Sequence, residues 1–301
     1  MESNNNLNSH NKINLLTKME KIYKKIKYIF VALFVIVASI SSIVLAASII
    51  YFSHLTKDAV HMSDKELKSE LLDFPGSDTL KNRNHNILSS FDESNNTLII
   101  GPHNVNDTVV KALTSSEDSL YFKHNGILPK ALLRAVFQDV FNTQISSGGS
   151  TITQQLVKNQ ILTNKKTYSR KANELVLAMR TEKLFSKKEI LYIYLNIVPF
   201  GRDYNGADIT GIASASFSLF GKSPNNLTVA ESAYIVGLLQ SPYYYTPYNR
   251  DGSLKSESQL TIGLNRQHYV LKRMVVENKI THKQFITAEK ENIKIKLRTN
   301  N

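Results

Sequence analysis

Three clusters in this chain have the residue types and spacing for bond-making chemistry. Glu117-Asp118 stands ahead of Tyr121, Phe122, His124 and Gly126. A carboxylate among aromatic neighbours suits a general base, provided it lies within hydrogen-bond reach of the proton it takes. Taken alone, the pair has the commoner identity of ordinary helix acids, and His124 that of a structural histidine.

The second cluster is GGSTITQQLVKN, Gly148 to Asn159. A diglycine leads into a helix start, where free N–H groups and the positive dipole end favour an anion. Thr151, Gln154, Gln155 and Lys158 follow at i, i+3, i+4 and i+7, one polar face, with Ile152 and Leu156 opposite. A solvated face and a ligand-facing one fit this pattern equally. In the third cluster Lys165, Lys166, Arg170 and Lys171 precede Glu174, and Arg170 and Glu174 are four apart. That spacing can be a routine surface ion pair of about 0.3–0.5 kcal/mol. Glu174, Ala178 and Glu182 share a helix face, so a second carboxylate can look into the same cleft. Cysteine is absent, which excludes thiolate nucleophiles, thiolate metal sites and disulfides. No HExxH, Walker or GxSxG pattern occurs.

The elements that must position these residues announce themselves by Ser or Thr followed three residues later by Glu or Gln. Thr151…Gln154, Ser186…Glu189, Thr228…Glu231 and Thr281…Gln284 predict four helix starts, each followed by apolar residues at helical spacing. Gly221 and Pro242 are stop signals. Asn86 to Phe91 and Thr97 to Ile100 predict a small hairpin. No alternating strand–helix series occurs, so the expected fold is mainly α with a small β element. With 42% apolar and 21% charged residues, and 12 Gly and 7 Pro in 301, a packed core is expected.

From Tyr28 to Phe52 the chain carries no charge. At ~1.5 Å per residue this run makes a helix of roughly 37 Å, enough for a hydrocarbon core of about 30 Å. It exceeds the apolar core of about 7 to 15 residues in a cleaved signal peptide. Lys18, Lys21, Lys24, Lys25 and Lys27 precede it, which predicts a cytoplasmic N-terminus and an exported remainder. The expected layout is a cytoplasmic tail (1–27, of which the Asn- and Ser-rich 1–17 look disordered), a transmembrane helix (28–52), a stalk (53–85) and a catalytic domain (86–301). The net charge of +12 favours an anionic partner. Export makes nucleic acid an improbable one and anionic lipid or a lipid-linked phosphate the natural one.

EDSLYFKHNG, GGSTITQQLVKN, RKANELVLAMRTEK, SKKEILYIYLN and AESAYIVGLLQSP, in that order, resemble the motifs of the family 51 glycosyltransferases. These are the peptidoglycan polymerases that stand alone or form the N-terminal part of class A penicillin-binding proteins. The resemblance covers roughly Ala112 to Ala288. It implies a lysozyme-like, mainly helical domain, one transmembrane helix, and polymerisation of lipid II into glycan strands with release of undecaprenyl pyrophosphate.

By the same resemblance Glu117 is the base for the acceptor hydroxyl and Glu174 the second catalytic carboxylate. Asp118, His124, Ser150, Thr151, Gln154, Gln155, Lys158, Asn159, Lys166 and Arg170 bind substrate. A divalent cation (Mg or Mn) is left open as a cofactor. The implied partners are lipid II, the growing glycan chain, the bacterial cytoplasmic membrane and other cell-wall synthesis proteins. Two alternatives remain: a lysozyme-like muramidase, and a catalytically lapsed cell-wall binding or scaffold protein.

Overall fold

The computed structural model describes residues 2–74, 90–92, 97–99, 105–130, 149–163, 165 and 167–299. Gly148, Lys166, the Pro75-Gly76 break and the tip of the first hairpin lie outside them. The chain divides into two units, Met1–Thr56 and Lys57–Asn301.

The first unit is one helix, α1 (Glu2–Leu55). Within it Lys18–Leu55 has an 18-residue window of mean hydropathy 2.8 with none of it buried, a length and composition able to cross a membrane. The helix starts well before the apolar run, so residues 2–17, expected to be disordered, are helical. Adding a residue to an existing helix gains a hydrogen bond without a new nucleation cost, so a long apolar helix extends readily into a flank of middling propensity.

The second unit begins earlier than expected. The proposed stalk contains α2 (Lys57–His61) and α3 (Asp64–Leu71), which pack on α6 (Tyr168–Leu184). Ala59, Leu67, Leu71 and Phe74 belong to the core. Asn173 Oδ1 accepts from the Ala59 amide at 2.8 Å, and Arg180 Nη1 donates to the Ala59 and Met62 carbonyls. Local sequence does not reveal this packing, because the burying partner lies over a hundred residues away.

The remaining elements are mainly helical. They are β1 (Ser90–Asp92), β2 (Thr97–Ile99), α4 (Asp107–Glu117), α5 (Ile152–Gln160), α7 (Lys187–Ile197), β3 (Pro199–Arg202), β4 (Asp208–Thr210), α8 (Ile212–Phe220), α9 (Val229–Leu238), α10 (Pro242–Tyr245), α11 (Glu257–Val276) and α12 (His282–Glu289). All four expected capping boxes form, at Thr151, Ser186, Thr228 and Thr281. Gly221 ends α8 in the left-handed conformation. β1 and β2 pair antiparallel, as the expected hairpin requires. β3 and β4 form a second hairpin, with an irregularity between Pro199 and Gly201. Its Asn-Gly turn, Asn205-Gly206, is a strong hairpin signal that the sequence reading passed over.

Helix α9 is buried from Ala230 to Leu238, apolar nearly all round as a central helix must be. It packs on α4 and α11, which also pack on each other, while α5 packs on α6 and α7. These two helix groups carry opposite halves of the site.

Candidate active site

Glu117 is the last residue of α4, its side chain 12% exposed. Its two carboxylate oxygens are held from different helices. Gln155 Nε2 on α5 donates to Oε2 at 3.2 Å, and Arg266 Nη2 on α11 to Oε1 at 3.2 Å. Gln155 Oε1 in turn accepts from the Tyr194 hydroxyl at 2.9 Å. Burial pushes the Tyr194 phenol well above its ordinary range, and the nearby Glu117 charge adds to this. Tyr194 therefore stays a neutral donor, which fixes the Gln155 amide with its nitrogen toward Glu117.

Asp118 turns the other way. Its side chain is buried, and Oδ2 accepts from His124 Nε2 at 2.8 Å and from the Ile152 amide, the first of α5, at 3.0 Å. Since His124 Nδ1 accepts from the Gly126 amide at 3.0 Å, the histidine is the neutral tautomer with its proton on Nε2. Thr151 donates to the Gly126 carbonyl at 2.6 Å. Gly126 has φ +91°, and a Cβ there would lie 2.6 Å from the Ala178 carbonyl, so only glycine fits. Asp118 and His124, expected to bind substrate, lace the end of α4 to the start of α5.

Glu174, 2% exposed, sits in a cationic nest. Oε1 accepts from Gln154 Nε2 at 3.1 Å and from Lys171 Nζ, and Oε2 from Arg170 Nη1 at 3.1 Å. Lys171 also reaches Ser150 Oγ at 3.0 Å. One carboxylate thus fixes two cations, leaving the cluster net positive. Such a nest attracts an anion, and a dication would face two like charges; among the described residues no group of three His, Cys, Asp or Glu could hold a metal.

The face of α5 expected to be either solvated or ligand-facing is partly neither. Thr151 and Gln154 are buried and spend their polar groups inside, whereas Lys158 and Asn159 are exposed one turn on. The adjacent amides Gln154 and Gln155 point to different clusters, one to Glu174 and one to Glu117. Glu182, the candidate second carboxylate, accepts from Thr153 Oγ1 at 2.5 Å and from Lys187 Nζ at 2.7 Å. Sequence reasoning left out Lys171 and Arg266 as site residues. Lys171 stood in plain view beside Arg170, whereas Arg266 carries no local signal.

A model of the transglycosylase family matches residues 84–275. The chain is 40% identical over 186 residues to penicillin-binding protein 1A of Haemophilus influenzae, covering 62% of this chain and 20% of that protein. Against penicillin-binding protein 1A of Escherichia coli it is 37% identical over 186 residues, with the same coverages. Against penicillin-binding protein 1F of Bacillus subtilis it is 30% identical over 253 residues, 84% of this chain and 33% of that protein. The chain therefore spans a fifth to a third of the length of these relatives.

Proposed function

Because the chain belongs to the transglycosylase family, the peptidoglycan glycosyltransferases homologous to the N-terminal part of class A penicillin-binding proteins, we propose that it polymerises lipid II into glycan strands at a membrane surface. The observation that carries this reading is the division of labour on α5: Gln155 holds Glu117, a carboxylate with a single cationic partner, and Gln154, one residue away, holds Glu174, which gathers two cations.

In the proposed reaction the acceptor 4-hydroxyl oxygen attacks C1 of the donor sugar. The C1–O bond to the diphosphate breaks with its electron pair leaving on the diphosphate, and the hydroxyl proton passes to Glu117. Glu117 has one donor on each oxygen, so lone pairs remain for that proton. The diphosphate leaves as a stable anion and needs positive charge more than a general acid. Arg170 and Lys171, fixed by Glu174, supply it, with Lys158 exposed on the adjoining helix and Lys166 as a further cation. Ser150 orients Lys171, and Asn159 is available to polar groups of the substrate. The basic flank before the apolar run of α1 favours a cytoplasmic N-terminus and a domain on the outer face.

A muramidase is the weaker reading. Glycoside hydrolysis usually needs two working carboxylates flanking the bond, but Glu174 is held by two cations and Glu182 by Lys187 and Thr153. Purified full chain given lipid II in liposomes should yield long glycan. Conversion of preformed glycan to short fragments would identify a hydrolase, and no turnover a lapsed enzyme.

A further inference from the structure

Arg266 is 149 residues from Glu117 in sequence, yet its guanidinium is the one cation that the described structure places on that carboxylate. Three features fix it there. Its guanidinium carbon lies 4.4 Å from the centre of the Tyr269 ring, a cation–π contact. Its Cγ runs past Gly237 of α9, where an added Cβ would come within 3.2 Å of it. Two turns further along α11, Arg273 Nε donates to the Ser115 carbonyl at 3.2 Å, which pins α11 to α4 two residues before Glu117. Both Arg266 and Glu117 are nearly buried, 11% and 12% exposed, so the pair is little screened by solvent.

From this geometry, and resting on the reading of Glu117 as the base, we propose that Arg266 is the positioning residue of the transfer step. A glutamate at the end of a helix has three rotatable side-chain bonds. Gln155 alone restrains one oxygen and leaves the carboxylate free to swing about it. With Arg266 on the other oxygen, the plane of the carboxylate is set, and each oxygen, with one donor, keeps lone-pair capacity for the proton. The contact is through a single nitrogen, not a two-pronged fork, so it leaves Oε1 able to accept a proton. As the new glycosidic bond forms, the acceptor proton moves onto Glu117, the diphosphate departs with the C1–O electron pair, and Arg266 itself exchanges no proton.

The test is steady-state polymerisation by the full-length chain in lipid II liposomes. Arg266→Ala should lower kcat by about 30- to 100-fold, the range expected when a reacting group is misplaced by an ångström. KM should stay within about twofold, because Arg266 does not hold the substrate. Arg266→Lys should recover part of the loss, and millimolar guanidinium should partly rescue Arg266→Ala but not Glu117→Gln. Gly237→Ala, which crowds Arg266 without removing it, should lower kcat by several-fold and serves if Arg266→Ala folds poorly. A parent chain inactive on lipid II, or an active Glu117→Gln, would overturn the base assignment and this proposal with it. An active parent with inactive Glu117→Gln, but with Arg266→Ala either within about threefold of the parent or impaired through KM alone, would overturn the role of Arg266 only.

Discussion

Glu117 and Glu174 are carboxylates largely shielded from solvent, and their neighbours separate them. Glu117 meets one amide and one arginine and keeps lone pairs free; Glu174 takes an amide and two cations and has little left to offer. Glu117→Gln should therefore stop polymerisation, by about 10²- to 10⁴-fold, while leaving the unfolding temperature and donor binding near the parent's. Activity within about threefold of the parent, measured as glycan product, would remove Glu117 from the mechanism. Arg170→Ala and Lys171→Ala should each weaken binding of a phosphoglycolipid donor mimic and lower turnover, by about tenfold or more if a charge-assisted hydrogen bond is lost. Unchanged affinity for the mimic in either variant would place that side chain outside the donor site. The sequence already marked Glu117, Arg170 and Glu174. It did not mark that Thr151 and Gln154, on the same polar face as Lys158, turn inward, because the partners that receive them come from other segments.

At the scale of elements, what was legible was local. A capping box needs only four consecutive residues, and all four expected ones formed. The docking of α2 and α3 on α6 was not legible, since Ala59 and Leu67 acquire their burial from residues over a hundred positions away. The same holds for Arg266, whose role depends on the packing of α4 against α11. One capping box does further work. Glu231, buried at the start of α9, accepts from the Thr228 amide at 2.8 Å, from Lys222 at 2.7 and 3.0 Å and from Lys296 at 3.3 Å, tying the C-terminal segment to the central helix. Burial pushes its carboxyl up, but Lys222, the Thr228 amide and Lys296 together outweigh this and hold it below the usual glutamate range. Its contribution to stability is therefore complete above the unfolded-chain value of about pH 4.3 and is lost as pH falls through the lower folded value. Glu231→Gln should destabilise the domain by about 2 kcal/mol at neutral pH, since the buried end of the pair loses its charge-assisted hydrogen bonds to Lys222, and this deficit should shrink in strong acid. Urea unfolding at both pH values measures it, and a deficit independent of pH would assign Glu231 a packing role alone.

For the whole molecule, the question is why a transglycosylase domain whose candidate site residues all lie after residue 105 should be joined to a helix as long and apolar as α1. The proposed donor is itself confined to a bilayer, so encounter depends on the enzyme's concentration at that surface, not in the bulk. A spanning helix fixes the domain there and turns a three-dimensional search into one with a high effective concentration. The excess of basic residues, +8 beyond Phe52, acts in the same direction on anionic lipid, but each such residue contributes only about 1 kcal/mol and is screened by salt. Removing residues 1–52 should therefore leave a domain that folds, since the core reaches no further back than Ala59. That domain should polymerise liposomal lipid II more slowly, the deficit growing with ionic strength as the electrostatic contribution fades. In detergent micelles, where substrate and enzyme no longer share a continuous surface, the two forms should converge. Equal rates on liposomes at high salt would show that the domain's own surface suffices and that α1 serves something other than substrate encounter.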